Sequence, residues 1–449
     1  MIIKNKKNML RIFIPPNNIP EKKYIISIIL SEFLGLEYNL EVHNSKFYLI
    51  TFSDRKIIIE NSFFGARESD DYLKIENLPE QIIYLKNEFT CEKDLPILYG
   101  SNKLLIREKV IILGADIFAS SFFMLTRWEE FVNPVRDNFG RFPGNESVAF
   151  KNNFINRPIV NEYVDFLWNL FKYLGFNGEM RKREFKIMPT VDVDQLFRYH
   201  NFTKVAIQTL RFIGKGKISK TWEYLGGYFK TIMGNALDPF NTYNKLMLSS
   251  ERINTKSYFF FLSGVSKEDG ESPMKDKRLT KILDCIRSRG HYIGFHAGFD
   301  TFDNPVLWKK AKNNLDEVTG FKNKFGRQHY LRFDVPLTWN IWEESKMEWD
   351  CTLGYATVPG FRCGTCFEFS VFNILRREQL NLKEYPLLIM DVTLKYYLGL
   401  TSQEAIDTIR EIKTNVKKFN GNFVFLWHNS SFNINEWRNY REVFEELWN

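Results

Sequence analysis

Two carboxylates separated by a single residue stand at the end of an apolar stretch of this 449-residue chain. They are Asp192 and Asp194, at the end of Lys186–Asp194. In an extended segment, residues i and i+2 point to the same side, so the two carboxylates lie close together. Two like charges at that distance are unfavourable unless a cation or a proton lies between them. The segment therefore predicts a metal site or a carboxylate pair with one basic member. The alternative is an aspartate cap on a helix that begins at Gln195.

Two histidines end apolar runs further along the chain, His296 and His428. Strand-like and helical segments alternate from about residue 185 onwards, which indicates a parallel sheet. In such folds the functional site lies at the carboxyl ends of the strands. We therefore expect Asp192, Asp194, His296 and His428 at one edge of the sheet, although each histidine taken alone is typical of a structural residue.

Composition and charge narrow the class of protein. The chain is 44% hydrophobic and 26% charged, which is ordinary for a globular protein. The 62 basic and 54 acidic residues are widely spread, so we expect no nucleic-acid partner. The densest basic stretch, Lys204–Lys220, is interpreted as a solvated face. An acidic polymer, a nucleotide-linked sugar or a membrane surface remains an alternative partner for that stretch.

The five cysteines do not form a disulfide pattern, because the set is odd and sparse. Cys363 and Cys366 form a single C-x-x-C, which lacks the four ligands of a structural zinc site. We find neither a signal peptide nor a transmembrane segment of about 20 apolar residues. These observations predict a cytoplasmic protein.

The chain is predicted to contain two domains. Residues 1–182 form an N-terminal α/β domain of unknown function, with a hairpin at Lys46–Glu60. Asn177–Glu184 is a charge-rich linker candidate, and residues 183–449 form the second domain. The first domain contains no evident catalytic group, although Arg127–Glu130 is a candidate contact with the second domain.

Four short motifs lie in the second domain in a fixed order. Thr190–Asp194 carries the two aspartates, and Gly290–His296 ends in a histidine with Asp300 four residues later. Arg327 begins the third motif, and Leu426–His428 ends the last predicted strand.

These motifs resemble those of the polysaccharide deacetylases, which share the chitooligosaccharide deacetylase homology domain (carbohydrate esterase family 4). The resemblance covers residues 183–449. In that family the first motif is Thr-Phe-Asp-Asp-Gly, so the second aspartate is displaced by one position here. Asp300 stands where the family has a second histidine. A divergent bacterial branch, often with an N-terminal domain of unknown function, is more similar still. Its signatures are matched by Arg327–Arg332, Gly360–Thr365 and Trp427–Asn429.

The resemblance implies an α/β fold: a distorted (β/α)-barrel of about seven strands beside a separate N-terminal α/β domain. It also implies a divalent metal, with zinc first and cobalt, nickel or manganese as alternatives. Asp194 and His296 are the expected metal ligands, and either Asp300 or His329 is the third.

The implied reaction is removal of an acetyl group from an N- or O-acetylated sugar in polysaccharide metabolism. A metal-activated water would attack, Asp192 would be the base, His428 the acid, and Arg327 would orient Asp192. The expected substrate-binding residues are Asp350, Arg362 and Trp427, with Asp350 or Arg362 alternatively holding His428. Two other functions remain open: a catalytically degenerate carbohydrate-binding or scaffold protein, and a metal hydrolase of another amide or ester.

Overall fold

The computed structural model describes residues 9–69, 71–199, 202–264, 266–270 and 272–449. The first eight residues of the predicted N-terminal domain therefore lie outside the described part. The described residues form sheets of six, nine and two strands with helices packed around them. None of the described helices combines the length and the apolar character needed to cross a bilayer.

The six-stranded sheet lies in the N-terminal part of the chain. The strands described in this part are β1 (Leu10–Ile14), β2 (Tyr38–Val42), β3 (Phe47–Phe52), β4 (Arg55–Glu60), β5 (Ile83–Lys86), β6 (Asp94–Ile97), β7 (Gly100–Arg107) and β8 (Val110–Ala115). Of these, β5 and β6 form a separate antiparallel pair, and the others form the six-stranded sheet. The order is β2-β1-β3-β4-β8-β7. Tyr48, Ile50 and Phe52 alternate with more exposed residues along β3, so one face is buried. The predicted hairpin is confirmed, because β3 pairs antiparallel with β4.

Five α-helices among the described residues accompany this sheet. They are α1 (Ile19–Ile26), which continues as a π-helical segment over Ser27–Phe33, α2 (Ile117–Thr126), α3 (Trp128–Val132), α4 (Val148–Lys151) and α5 (Ile159–Tyr173). Asp116 caps α2, because its Oδ1 accepts from the Ala119 N–H at 3.0 Å. Arg127, with φ +53°, separates α2 from α3 and turns the chain there.

The nine-stranded sheet occupies the C-terminal part. Its strands are β9 (Lys186–Val193), β10 (Tyr258–Ser263), β11 (Tyr292–Ala297), β12 (Phe325–Gln328), β13 (Trp349–Asp350), β14 (Phe369–Asn373), β15 (Glu378–Glu384), β16 (Ile389–Met390) and β17 (Asn422–Leu426). The order is β14-β15-β13-β12-β11-β10-β9-β17-β16. Every neighbouring pair is parallel except β14 with β15.

The mixed α/β class is confirmed, whereas the distorted barrel of about seven strands stays a prediction. No pairing among the described residues joins the end strands β14 and β16, so the sheet is open in its hydrogen bonding. The antiparallel edge strand β14 adds a hairpin to the sheet, and β13 and β16 are only two residues long.

The α-helices described in this part are α6 (Phe202–Gly214), α7 (Ile218–Ile232), α8 (Tyr243–Arg252), α9 (Leu279–Ser288), α10 (Pro305–Thr319), α11 (Leu337–Glu344), α12 (Ser402–Lys418) and α13 (Arg441–Trp448). The start predicted for α10 is confirmed. Asn304 Oδ1 accepts from the Val306 and Leu307 N–H groups, and Pro305 occupies the first helical position.

The two parts share one continuous hydrophobic core. The ring centroids of Tyr24 in α1 and Phe372 in β14 are 4.7 Å apart. The Tyr24 hydroxyl donates to the Ser370 carbonyl oxygen at 2.9 Å. Phe122 of α2 also contacts Phe372. The division at residue 182 stays a prediction, and the packing across it is extensive.

Candidate functional site

The carboxyl ends of four parallel strands bring the chemically active side chains together. Asp192 lies in β9, and Asp194 follows its last residue. His296 lies near the end of β11, His329 directly follows β12, and His428 comes two residues after β17. Because these strands are parallel, their carboxyl ends meet at one edge of the sheet.

A candidate metal centre lies at this edge. One ligand atom each from Asp194, His296 and His329 lies within 4.8 Å of the other two. Asp194 Oδ1 is 3.4 Å from His296 Nε2 and 3.7 Å from His329 Nε2. That oxygen is buried and makes no hydrogen bond to any residue that the structure describes. A buried oxygen without a partner is unfavourable, so the three residues fit a cation.

Both histidines present the same nitrogen to this centre. His296 Nδ1 lies 3.0 Å from the Arg327 carbonyl oxygen, and His329 Nδ1 lies 2.8 Å from Asp269 Oδ1. A carbonyl oxygen only accepts, so His296 Nδ1 carries a proton, and in the neutral ring Nε2 keeps a free lone pair. The carboxylate of Asp269 fixes His329 in the same way. Metal-binding histidines are held like this, and an Asp-His-His set suits zinc.

The two carboxyl groups beside these histidines have lowered pKa values. Burial alone raises the pKa of Asp269, but hydrogen bonds from His329 and from the Phe299 N–H lower it to about 2. Burial likewise raises the pKa of Asp194, but His329, His296 and His428 together hold it well below its ordinary value. Both carboxyl groups are therefore ionised near neutral pH.

The structure places Asp300 apart from these three residues. Its side chain is 55% exposed, and Oδ1 lies 3.7 Å from Arg332 Nη1. Of the two candidates for the third ligand, only His329 belongs to the cluster found among the described residues.

Arg327 holds Asp192 beside the candidate metal centre. Its Nη1 donates to Asp192 Oδ1 at 2.8 Å, its Nη2 to Thr190 Oγ1 at 2.9 Å, and its Nε to the Cys351 carbonyl oxygen at 2.7 Å. The other oxygen, Asp192 Oδ2, lies 3.5 Å from His296 Nε2. A charge-assisted hydrogen bond of this kind fixes the orientation of the carboxylate.

His428 is oriented by Asp391, which sequence reasoning missed. Its Nδ1 lies 2.8 Å from Asp391 Oδ1, and its backbone N–H donates to Asp391 Oδ2 at 2.8 Å. Its Nε2 points towards Asp194 Oδ2, 3.9 Å away. Burial lowers the pKa of His428, but Asp391 raises it to about 10 overall. Asp391 therefore favours the protonated ring, which can donate a proton. The position of Asp391 directly after a short buried strand was the available signal.

The N-terminal part also lines the cleft, which the sequence did not indicate. The cleft encloses about 510 Å³ and includes Phe139 and Arg141. Arg141 Nη1 donates to the Tyr330 carbonyl oxygen at 3.1 Å, and its Nη2 to the Tyr397 hydroxyl at 3.0 Å. Its Nε donates to Asp137 Oδ2 at 2.8 Å. One wall of the cleft therefore comes from the loop Asp137–Arg141.

The three predicted substrate-binding residues are buried, and their role stays a prediction. Asp350, Arg362 and Trp427 are 0%, 2% and 1% exposed. Asp350 Oδ1 accepts from the Cys351 N–H at 2.8 Å, Arg362 Nε donates to Glu130 Oε1 at 2.9 Å, and Trp427 Nε1 donates to the Ser431 carbonyl oxygen at 3.2 Å. These contacts are internal, and His428 is held by Asp391 instead.

The comparisons with known proteins are sparse. Residues 10–175 match a family of unknown function, DUF7033. No curated protein matches the chain.

Three solved structures are similar to parts of the chain. A protein described as a polysaccharide deacetylase from Mycobacterium smegmatis is 14% identical with a TM-score of 0.39, over 60% of this chain and 83% of that one. The polysaccharide deacetylase Bc1974 from Bacillus cereus is 12% identical with a TM-score of 0.28, over 59% and 86%. Puue allantoinase is 10% identical with a TM-score of 0.36, over 59% and 83%.

Proposed function

We propose that this chain is a metal-dependent hydrolase that removes an acetyl group from an N- or O-acetylated sugar. The observation that carries the proposal is the cluster of Asp194, His296 and His329, in which an unpaired buried carboxylate oxygen faces two histidine nitrogens. A divalent ion, zinc first by its ligand set, would supply Lewis acidity at the acyl carbonyl and a water of lowered pKa.

Asp192 is the proposed base. It is buried beside the ligand set, and Arg327 fixes one of its oxygens at 2.8 Å. The free oxygen, Oδ2, is available to take the proton from the attacking water. Arg327 is therefore a positioning residue, because it acts through Asp192.

His428 is the proposed acid. Asp391 favours its protonated form and holds its Nδ1, and His428 lines the cleft. Expulsion of an amine or alcohol from an acyl group needs a proton, and Nε2 is placed to donate it. Asp391 orients the ring and neutralises its charge.

The test combines metal content with acetate release. Purified wild type should contain about one divalent ion per chain, since one such ligand set occurs among the residues that the structure describes. Asp194→Ala and His296→Ala should lose the ion, and His43→Ala should retain it, because His43 is exposed and lies outside the cluster. Acetate release is then measured on N-acetylated and O-acetylated sugars with the wild type and both ligand variants.

A wild type that contains no metal and binds no added zinc, cobalt, nickel or manganese would overturn the proposal. A metal-loaded wild type that releases no acetate from any sugar, but hydrolyses other amides or esters, would replace the substrate class and leave the metal chemistry intact.

A further inference from the structure

A helical hairpin exposes an unusual amount of apolar surface next to the site. It consists of α6 and α7, inserted between β9 and α8. Its most exposed large apolar side chains, Phe202, Leu210 and Trp222, are 67% to 72% accessible, and Met233 and Leu237, which follow α7, are 71% and 75% accessible. Single exposed apolar residues are normal, but a continuous group on one element indicates an interaction surface.

The exposed residues of α7 form a stripe. Ile218, Trp222, Phe229 and Ile232 are four, seven and three residues apart and are all exposed. That spacing places them on one face of the helix. Another side of α7 already has its packing partners, because Tyr224 belongs to a small buried cluster with Tyr199 and Val205. The stripe is therefore not needed for the fold of the hairpin.

The hairpin is also strongly basic. Between residues 202 and 237 the only acidic residue is Glu223, and the basic residues are Lys204, Arg211, Lys215, Lys217, Lys220 and Lys230. Arg211, Lys215, Lys217 and Lys230 are exposed, whereas Lys220 pairs with Glu436. Helices with an apolar face, a basic polar face and a tryptophan are typical of segments that lie in the interface of a membrane.

We propose that the α6–α7 hairpin docks on the surface of an anionic lipid bilayer. The stripe with Trp222 and Phe229 enters the headgroup region, and the exposed lysines and arginine face the lipid phosphates. The charge of the hairpin favours this occupant over a second copy of the chain, because two copies would bring like charges together.

The hairpin is continuous with the cleft. A groove of about 820 Å³ runs beneath it and is lined by Arg211 and Tyr224 of the hairpin. The groove shares Gln195 and Gly270 with the cleft that holds the candidate metal centre. This continuity also indicates the substrate, in a step that rests on the proposed function. The acetylated sugar is anchored to a lipid of the same bilayer.

Vesicle co-sedimentation of the full chain tests the docking. The lipids are phosphatidylcholine alone and phosphatidylcholine mixed with phosphatidylglycerol. The wild type should sediment with the mixed vesicles and lose this binding at high salt. Trp222→Ser/Phe229→Ser should weaken binding by about tenfold or more, because the apolar anchor is lost. Lys215→Glu/Lys217→Glu should weaken it similarly.

Val306→Ser is the matched control, since Val306 is an exposed apolar residue on a different helix, and it should bind like the wild type. Circular dichroism should show every variant folded. A wild type that ignores mixed vesicles, or hairpin variants that bind as well as the wild type, would overturn the proposal. A wild-type dimer in light scattering that Trp222→Ser/Phe229→Ser dissociates would also overturn it, in favour of self-association.

Metal content is measured in the same preparations. Full metal content without vesicle binding would remove the docking proposal alone, and vesicle binding by a metal-free chain would remove the hydrolase alone.

Discussion

Each histidine of the candidate metal centre uses one ring nitrogen to orient the other. His296 donates to a backbone carbonyl and His329 to the carboxylate of Asp269. The backbone partner cannot be removed by a side-chain substitution, whereas Asp269 can. At the scale of single residues, the identity of the third ligand and the orientation of the acid are the two points that substitution can decide.

Replacement of His329 should remove the metal, and replacement of Asp300 should not. His329→Ala deletes one of three ligands, whereas the Asp300 side chain is exposed and lies against Arg332. Metal content of the two variants after dialysis is the measurement. Metal retained by His329→Ala and lost from Asp300→Ala would reverse this assignment.

Asp391→Asn should lower kcat by on the order of 100-fold and leave KM nearly unchanged. Asparagine has only one side-chain oxygen, so it cannot accept from both the backbone N–H and the ring Nδ1 of His428. It also removes the negative charge that stabilises the protonated ring. Steady-state acetate release gives both constants. Asp303→Asn, an exposed aspartate, is the control, and equal kcat values in the two variants would rule out an orienting role for Asp391.

At the scale of elements, a strained turn and a distant loop stabilise one another. Tyr330 and Leu331 have φ of +61° and +56°, and they directly follow His329. Non-glycine residues in this region are unfavourable and persist when their surroundings hold them. The loop Asp137–Arg141 holds this turn in place. Arg141 donates to the Tyr330 carbonyl oxygen, and the ring centroids of Phe139 and Tyr330 are 5.1 Å apart.

Phe139→Ala should raise KM by about three- to tenfold with a smaller change in kcat. It removes an aromatic contact with Tyr330 and part of the cleft wall, while the ligand set is untouched. Phe131→Ala is the control, since Phe131 is partly exposed in α3 and does not line the cleft. If both variants keep the wild-type KM, the N-terminal loop does not contact the substrate.

At the scale of the whole molecule, a buried ion network joins the two parts of the chain. Arg362 Nε donates to Glu130 Oε1 at 2.9 Å, and Arg127 donates to the same oxygen at 2.9 Å. Arg127 Nη2 also donates to the Tyr355 hydroxyl at 2.9 Å. Burial raises the pKa of Glu130, but the two arginines lower it to about 2 overall, so the carboxylate stays charged.

Glu130→Gln should reduce the free energy of unfolding by about 3–5 kcal/mol. The buried Arg362 would then lose its counter-charge, which is more costly than loss of a surface pair. Chemical denaturation measures the change. Glu146→Gln, in the more exposed pair with Lys151, should change it by less than about 1 kcal/mol. Similar losses in the two variants would contradict the special role of the buried network.

A buried carboxyl pair should make stability fall as pH rises. Burial raises the pKa of Asp350 to about 7, and burial with the neighbouring Asp350 raises that of Glu384 well above its ordinary value. The native state keeps protons that the unfolded chain releases above about pH 4. The free energy of unfolding should therefore fall between about pH 4 and about pH 7, by up to about 1.4 kcal/mol per pH unit and group.

Asp350→Asn should reduce this slope, because one of the two titrating groups is gone. Denaturation at about pH 5 and about pH 7 gives the difference for wild type and variant. Parallel pH profiles would show that Asp350 does not retain its proton in the native state.

Local sequence sufficed where a few neighbouring residues determine the outcome. Such features are the β3–β4 hairpin, the helix start at Asn304–Pro305, and the two histidines and two aspartates at strand ends. Partners distant in sequence were not accessible: Arg141 and Tyr397 are 256 positions apart, and Asp269 lies in a loop without a distinctive pattern. The burial of Asp350, Arg362 and Trp427 and the two-residue strands β13 and β16 likewise depend on tertiary packing.

The network around Glu130 also bears on how such a chain can be inherited. Residues 10–175 match a family of their own, yet Glu130 within them neutralises Arg362 of the other part. A recombination event that exchanged this segment for an unrelated one would leave an arginine buried without a counter-ion. Lineages that keep Arg362 should therefore keep an acidic residue at position 130, and the two positions should change together.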